Sequence, residues 1–204
     1  MNAKKKCNQM SNSNFWNLKS GFILASASVN RRALLESVRL IPTKIISPEI
    51  DERQLEGELP ARYVKRIATE KAKAVSLTHP GETIVAADTV LAVGRRLIRK
   101  AYTEEEARAN LNLLSGRKHR VLTGICVISP SGKIISKVNT SFVTMKKLDE
   151  SDIRLILASN EWKGVAGYQI EGVLSAFVKQ ISGSYSSIVG IPVYETVQIL
   201  RGIL

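Results

Sequence analysis

Carboxylates, lysines and one hydroxyl-rich turn recur in this chain near the ends of apolar runs. Asp88 sits inside Ile84–Val93, an apolar, β-branched-rich run of strand length. A run without polar alternation reads as a strand buried on both faces. An unpaired carboxylate there is costly, so Asp88 needs a cation, a donor network or a proton, unless it lies at a strand end and caps a loop. Ser47-Pro-Glu-Ile-Asp-Glu52 places three carboxylates (Glu49, Asp51, Glu52) within four positions, just past a short strand. Oxygen donors so grouped suit a hard divalent cation; solvated loop charge is the ordinary alternative. Lys71 shares a helical stripe with Val64, Ile67, Ala68, Ala74 and Val75. Such a lysine either snorkels to the surface or is aimed into a cleft. In Ser26-Ala-Ser-Val-Asn-Arg31 a strand turns into a helix, with Ser28 a natural N-cap. A helix start with free N–H groups, two hydroxyls and Arg31 can hold a phosphate, although capping alone accounts for the same residues.

These groups have to be positioned by mixed elements. Gly21–Ala25 and Ile41–Ile46 read as short strands, the segment from Ala33 to Val38 as a helix, and Pro60 opens a longer helix that ends near Thr78-His-Pro-Gly81. After the Asp88 strand, Gly94-Arg-Arg is a turn and Leu97–Ala101 a return strand carrying Arg99 and Lys100. Thr103 with Glu106 is a capping box for a helix to Leu114. Ser115–Arg120 reads as a basic loop, and Val121–Ile128 with Lys133–Met145 as a hairpin across Pro130-Ser-Gly132. Asp149–Ala158 is helical, Val173–Gln180 and Ser186–Val189 are strands, and Ile191–Leu200 is a closing helix. The fold class expected is α/β with a mixed sheet and flanking helices. Residues 1–19, rich in Asn, Ser and Lys, read as a disordered or loosely attached tail ahead of one unit over 20–204.

The totals narrow the function. With 204 residues and 44% apolar composition the chain can build a sizeable core. No apolar run reaches the length of a membrane span, no signal-peptide pattern occurs, and Cys7 and Cys126 make neither a disulfide framework nor a zinc spacing, so the cytoplasm is the expected compartment. Thirty basic against eighteen acidic residues give a net charge of +12, which favours polyanionic partners. The familiar phosphate cradles G-x-x-x-x-G-K-[ST] and G-x-G-x-x-G are missing, as are H-E-x-x-H and G-x-S-x-G. RNA-binding signatures with paired aromatics are missing too, so no specific nucleic-acid partner is expected. Scattered carboxylates and cations near strand ends remain, a pattern suited to metal-assisted phosphoanhydride chemistry.

At this point a resemblance becomes specific. Ser26-Ala-Ser-Val-Asn-Arg31 resembles the S-x-S-x-x-R signature of the Maf family of nucleoside triphosphate pyrophosphatases, and Pro48-Glu-Ile-Asp-Glu52 its acidic segment. Glu70-Lys-Ala72, Ala87-Asp-Thr89, Leu114-Ser-Gly-Arg117 with Val121-Leu-Thr-Gly124, and Gly183-Ser-Tyr-Ser186 with Val189-Gly-Ile-Pro192 and Glu195-Thr196 follow in the family's order. The resemblance implies an elongated α/β fold of two lobes with a central cleft, like that of inosine-triphosphate pyrophosphatases. It implies hydrolysis of the α–β bond of a nucleoside triphosphate to monophosphate and pyrophosphate, with Mg²⁺, or Mn²⁺ or Co²⁺ in its place, and a homodimer as assembly. The roles implied are Glu52 and Asp88 on the metal, Asp88 on the attacking water, Lys71 and Lys100 on triphosphate charge, and Ser26, Ser28, Arg31 and Thr89 on the substrate.

Three departures stand out. Val29-Asn30-Arg31 replaces the family's Pro-Arg-Arg, Arg99-Lys100-Ala101 replaces its G-K-P, and Glu171 stands where Gln is usual. Glu171 is expected as a substrate contact or a further metal ligand. The pattern resembles the branch acting on dTTP and UTP, with the 7-methyl-GTP branch and a catalytically silent nucleotide or nucleic-acid binding module as alternatives.

Overall fold

The computed structural model describes residues 15, 16, 18 and 20–203. In chain order the elements are β1 (Ile23–Leu24), α1 (Val29–Ser37), β2 (Lys44–Ile45), α2 (Pro60–Thr78), β3 (Ile84–Val93), β4 (Arg96–Ile98) and α3 (Glu104–Leu114). They continue with β5 (Lys118–Ile128), β6 (Ile134–Met145), α4 (Glu150–Ala158), β7 (Val178–Ser182), α5 (Tyr185–Val189) and α6 (Val193–Ile203). The strands form one seven-stranded sheet in the order β2-β1-β3-β5-β6-β7, with β4 paired to the far end of β3. β1 runs parallel to β2 and β3, and the other pairs are antiparallel. The expected mixed α/β sheet is therefore what the chain forms.

β3 is apolar throughout because both of its faces are covered. Ile84, Ala86 and Ala92 meet α2, whose buried stripe runs from Tyr63 to Val75. Val85 and Ala87 face the other way, into a cluster with Leu35 of α1 and Val197, Ile199 and Leu200 of α6. Leu91, on that same face, joins a second cluster with Leu111 and Leu114 of α3 and Ile153, Ile156 and Leu157 of α4. The two clusters divide this face of the sheet between them. Between them lie Asp88 and Thr89, in register with Gly124 and Thr123 of β5. A polar seam thus crosses the sheet where the apolar clusters part.

Local signals account for several boundaries. Thr103 and Glu106 form both bonds of the capping box that opens α3, and Asp149 with Asp152 does the same for α4. Four expectations need correction. Lys118–Arg120 is the start of β5, held by pairing of Arg120 with Ala92 and of Lys118 with Thr144. Val173–Phe177 is a 3₁₀ turn, and the strand that follows is Val178–Ser182. Residues 186–189 belong to α5, whose N-cap Ser184 accepts from the Ser187 N–H. β4 stops at Ile98, so Lys100 lies beyond the strand.

The proposed tail falls mostly outside the described residues. Of its described part, Leu18 is buried with Phe22 and Leu24, and the Trp16 indole donates to the Val38 carbonyl at 2.7 Å.

Candidate active site

The seam opens into a cleft of about 1300 Å³. Its geometry starts with a glycine. A Cβ on Gly124 would stand 2.2 Å from the Val64 carbonyl oxygen, so its absence lets the α2 backbone lie directly on β5. Lys71 follows Val64 by about two turns of the same helix face and is delivered over Asp88, the residue opposite Gly124. Its Nζ lies 2.9 Å from Asp88 Oδ1 and 2.8 Å from Glu52 Oε1. Lys71 and Asp88 are 8% and 7% exposed, so this lysine is aimed inward and does not snorkel.

Of the three carboxylates after β2, only Glu52 turns into the cleft. Asp51 pairs with Arg53 at 2.7 Å on the exposed side, which holds its carboxyl down at about 2. Two residues of α2 fix the Glu52 loop. The Tyr63 hydroxyl donates to the Glu52 carbonyl at 2.8 Å, and Arg66 binds Glu58 through two nitrogens at 2.7 Å while donating to the Arg53 carbonyl at 3.0 Å. Burial raises the Glu52 carboxyl. The Lys71 hydrogen bond and the charges of Lys71, Lys100 and Arg31 outweigh that and bring it below its ordinary value. The same two carboxylates act on Tyr63: burial, then Asp88 and Glu52, push its hydroxyl up to about 12, so it remains a donor.

The hydroxyl-rich turn forms the neighbouring wall. Ser28 caps α1. Ser26 Oγ accepts from Arg31 Nη1 at 3.0 Å and from the Ser28 N–H at 3.2 Å. Arg31 Nε donates to the Gly190 carbonyl at 2.8 Å, and Thr89 Oγ1 reaches the same carbonyl at 3.3 Å. Thr89 also meets Thr123, whose hydroxyl donates to the Ser187 carbonyl at 2.7 Å. Thr89 and Thr123 therefore anchor the end of α5 as well as lining the seam. Burial lowers the Arg31 guanidinium from its ordinary value, opposed by the fields of Asp88 and Glu52. Lys100 lines the cleft, is exposed, and acts on Glu52 through its charge.

Glu171 lies elsewhere in the lining, exposed, where its Oε1 accepts from the Asn30 amide. Two of the departures noted in the sequence thus touch each other across 141 residues of chain. Among the described residues no three His, Cys, Asp or Glu side chains converge as a metal-holding group; Glu171 binds Asn30 while Glu52 and Asp88 bind Lys71.

Sequence reasoning missed several contributors. Tyr63 and Arg66 were not singled out, although the spacing of Arg66 to Glu70 was visible. His119, assigned to a loop, is 1% exposed; its Nε2 meets the hydroxyl of Tyr168, which lines the cleft. Burial lowers the His119 imidazole to about 4 and keeps it neutral. The Gly183-Ser-Tyr-Ser186 stretch turns out to be scaffold: the Ser184 N–H donates to Ser141 at 2.9 Å and Ser186 accepts from the Val193 N–H at 3.2 Å.

Two carboxylates focused on one cation, with Arg31 and Lys100 in the same cleft, are an arrangement that can receive a polyanion. The architecture around it is shared with the Ham1 protein of Staphylococcus aureus, at a TM-score of 0.52 over 90% of this chain and 99% of that one. At 16% identity the likeness concerns the fold. The chain belongs to the Maf-like protein family, matched over residues 21–203. It is 46% identical to a dTTP/UTP pyrophosphatase of Paramagnetospirillum magneticum, over 88% of this chain and 95% of that protein. It is also 45% identical to a dTTP/UTP pyrophosphatase of Zymomonas mobilis, covering 90% and 91%, and 42% identical to a nucleoside triphosphate pyrophosphatase of Anaplasma marginale, covering 89% and 93%. Among the described residues no helix is long and apolar enough to cross a membrane.

Proposed function

We propose that the protein hydrolyses the α–β phosphoanhydride of nucleoside triphosphates, dTTP and UTP first among them, releasing monophosphate and pyrophosphate. One observation carries the reading: Glu52 and Asp88 arrive from separate elements and meet within hydrogen-bond distance of a single cationic nitrogen, inside a cleft walled by Arg31 and Lys100. The printed names of the Paramagnetospirillum and Zymomonas relatives support dTTP and UTP as substrates.

The donor set suits a divalent cation. Carboxylate oxygens that both reach the Lys71 ammonium present hard ligands to one point, and Mg²⁺ commonly takes one or two carboxylates, completing its shell with phosphate oxygens and water. Glu52 and Asp88 would hold Mg²⁺, or Mn²⁺ or Co²⁺. Once bound, the ion neutralises phosphate charge and acidifies coordinated water. Asp88 orients the attacking water and takes its proton. Arg31, Lys71 and Lys100 stabilise the charge that builds on departing pyrophosphate, while Ser26 and the free N–H groups at the start of α1 fix the phosphates. Buried Tyr168, held by His119, and Glu171 line other parts of the cleft. We place the enzyme in the cytoplasm as a homodimer, with residues 20–204 as its catalytic unit.

Glu171 favours one competing substrate, 7-methyl-GTP, because a carboxylate suits a cationic base better than an amide does. The test is a panel of dTTP, UTP, CTP, GTP and 7-methyl-GTP with Mg²⁺ or Mn²⁺, scored for pyrophosphate and monophosphate. Highest kcat/KM on dTTP and UTP is expected. Release of orthophosphate, or silence throughout with salt-sensitive binding of RNA or DNA, would overturn the reading.

A further inference from the structure

Lys71 has two tasks that exclude each other. Its Nζ holds Glu52 Oε1 at 2.8 Å and Asp88 Oδ1 at 2.9 Å, which is where a divalent ion would sit to use both carboxylates. An ammonium and a dication cannot share that point, because like charges at contact distance in a poorly solvated site repel strongly. Asp88, for its part, needs a positive neighbour at all times, whereas exposed Glu52 is also served by water. Asp88 is 7% exposed, and removing one partner of a buried ion pair leaves an uncompensated charge.

We propose that Lys71 is an internal counter-ion: it keeps Glu52 and Asp88 in ligating positions until a metal–triphosphate complex displaces it, and its ammonium then passes to a phosphate oxygen. The inference rests on the reading above that these carboxylates hold the metal. The backbone of α2 does not have to move for the exchange. It is seated on β5 through the close approach at Gly124, while the four-carbon stem of lysine swings freely enough to carry the charge from one partner to another. Metal arriving alone would strand the ammonium without a partner at a position only 8% exposed. Metal arriving with triphosphate brings the replacement partner along. The lysine therefore disfavours idle metal binding and couples metal uptake to nucleotide.

The test measures binding. Mn²⁺ is titrated calorimetrically into chelator-treated protein, wild type and Lys71→Gln, without nucleotide and then with a non-hydrolysable α,β-methylene triphosphate. Wild type should bind Mn²⁺ weakly alone and at least about tenfold more tightly with the analogue, a difference of about 1.4 kcal/mol. Lys71→Gln should bind Mn²⁺ alone at least about tenfold more tightly than wild type, and Mn²⁺ should raise its melting temperature more. Equal or weaker Mn²⁺ binding by Lys71→Gln overturns the proposal. If that variant does not fold, the wild-type lysine ammonium signals in ¹⁵N NMR decide. The Lys71 signal should move with Mg²⁺ plus analogue and stay with Mg²⁺ alone; equal movement with Mg²⁺ alone overturns it. None of these readouts needs turnover, so an inactive protein leaves the test intact. An active one whose Lys71→Gln variant gains no metal affinity loses the counter-ion and keeps the enzyme.

Discussion

Glu171 and Asn30, two of the departures from the resembled pattern, bind each other and bring a negative charge to the cleft lining. The pair joins the loop before the 3₁₀ turn to the first turn of α1, while Glu52 and Asp88 are engaged with Lys71. Glu171→Gln keeps an acceptor for Asn30 and removes a charge worth about 1 kcal/mol against a nearby triphosphate. Its KM should fall about three- to fivefold with kcat unchanged, read from initial rates. A collapse of kcat would instead put Glu171 among the metal ligands. His119 offers a second measurement at this scale. Its imidazole falls from 6.5 to about 4 on folding, so the unfolded chain binds a proton over a window where the folded one does not. Stability from the neutral ring is therefore complete above pH 6.5 and drains away toward pH 4, by about 3 kcal/mol. Glu58, held below its ordinary 4.5 by Arg66, adds its own loss as pH falls below 4.5. Urea unfolding of His119→Gln should show a flatter profile between these limits than wild type; an identical profile would contradict the buried neutral ring.

Elements place these residues, and the contact of α2 with β5 places the most. Gly124→Ala would set a methyl 2.2 Å from a backbone oxygen, so the helix has to lift. Overpacking of this sort costs about 1–3 kcal/mol, and displacing Lys71 by even about 1 Å should lower kcat/KM at least tenfold. Calorimetry with steady-state kinetics checks both; an unchanged melting point would refute the close approach. Much of this level was legible in the chain. Ile84–Val93 declared itself by length and missing alternation, and Lys71 by its place on an apolar stripe. The capping box of Thr103 and Glu106 announced α3 within a residue. Other parts could not be read locally. Lys118–Arg120 looks like a loop by composition, yet two neighbouring strands claim it, and tertiary pairing overrides propensity. The segments at 173–177 and 186–189 are too short for periodicity to separate strand from helix. Which carboxylate of the acidic segment turns inward is decided by Tyr63 and Arg66 gripping the loop from α2, a contact with no period to betray it.

Across the whole molecule, apolar clusters pack on both faces of one sheet, and the cleft opens at the seam between the two that meet α1, α6, α3 and α4. A seam is where charged side chains can be partly dried without breaking either core. The chain as a whole carries a net charge of +12, which favours a triphosphate beyond the contacts of the site itself. Raising salt from about 50 to about 500 mM should increase KM several-fold and leave kcat nearly constant; a salt-independent KM would show the surplus charge to be idle. On the function proposed above, Asp88, buried at the seam against Lys71, performs the chemistry and does not merely complete an ion pair. That role is tested most directly by pyrophosphate release from dTTP by Asp88→Asn, whose fold is monitored by circular dichroism and melting temperature. A rate at least about 10²-fold below wild type is expected in a protein that remains folded. A folded Asp88→Asn protein releasing pyrophosphate at the wild-type rate would contradict it.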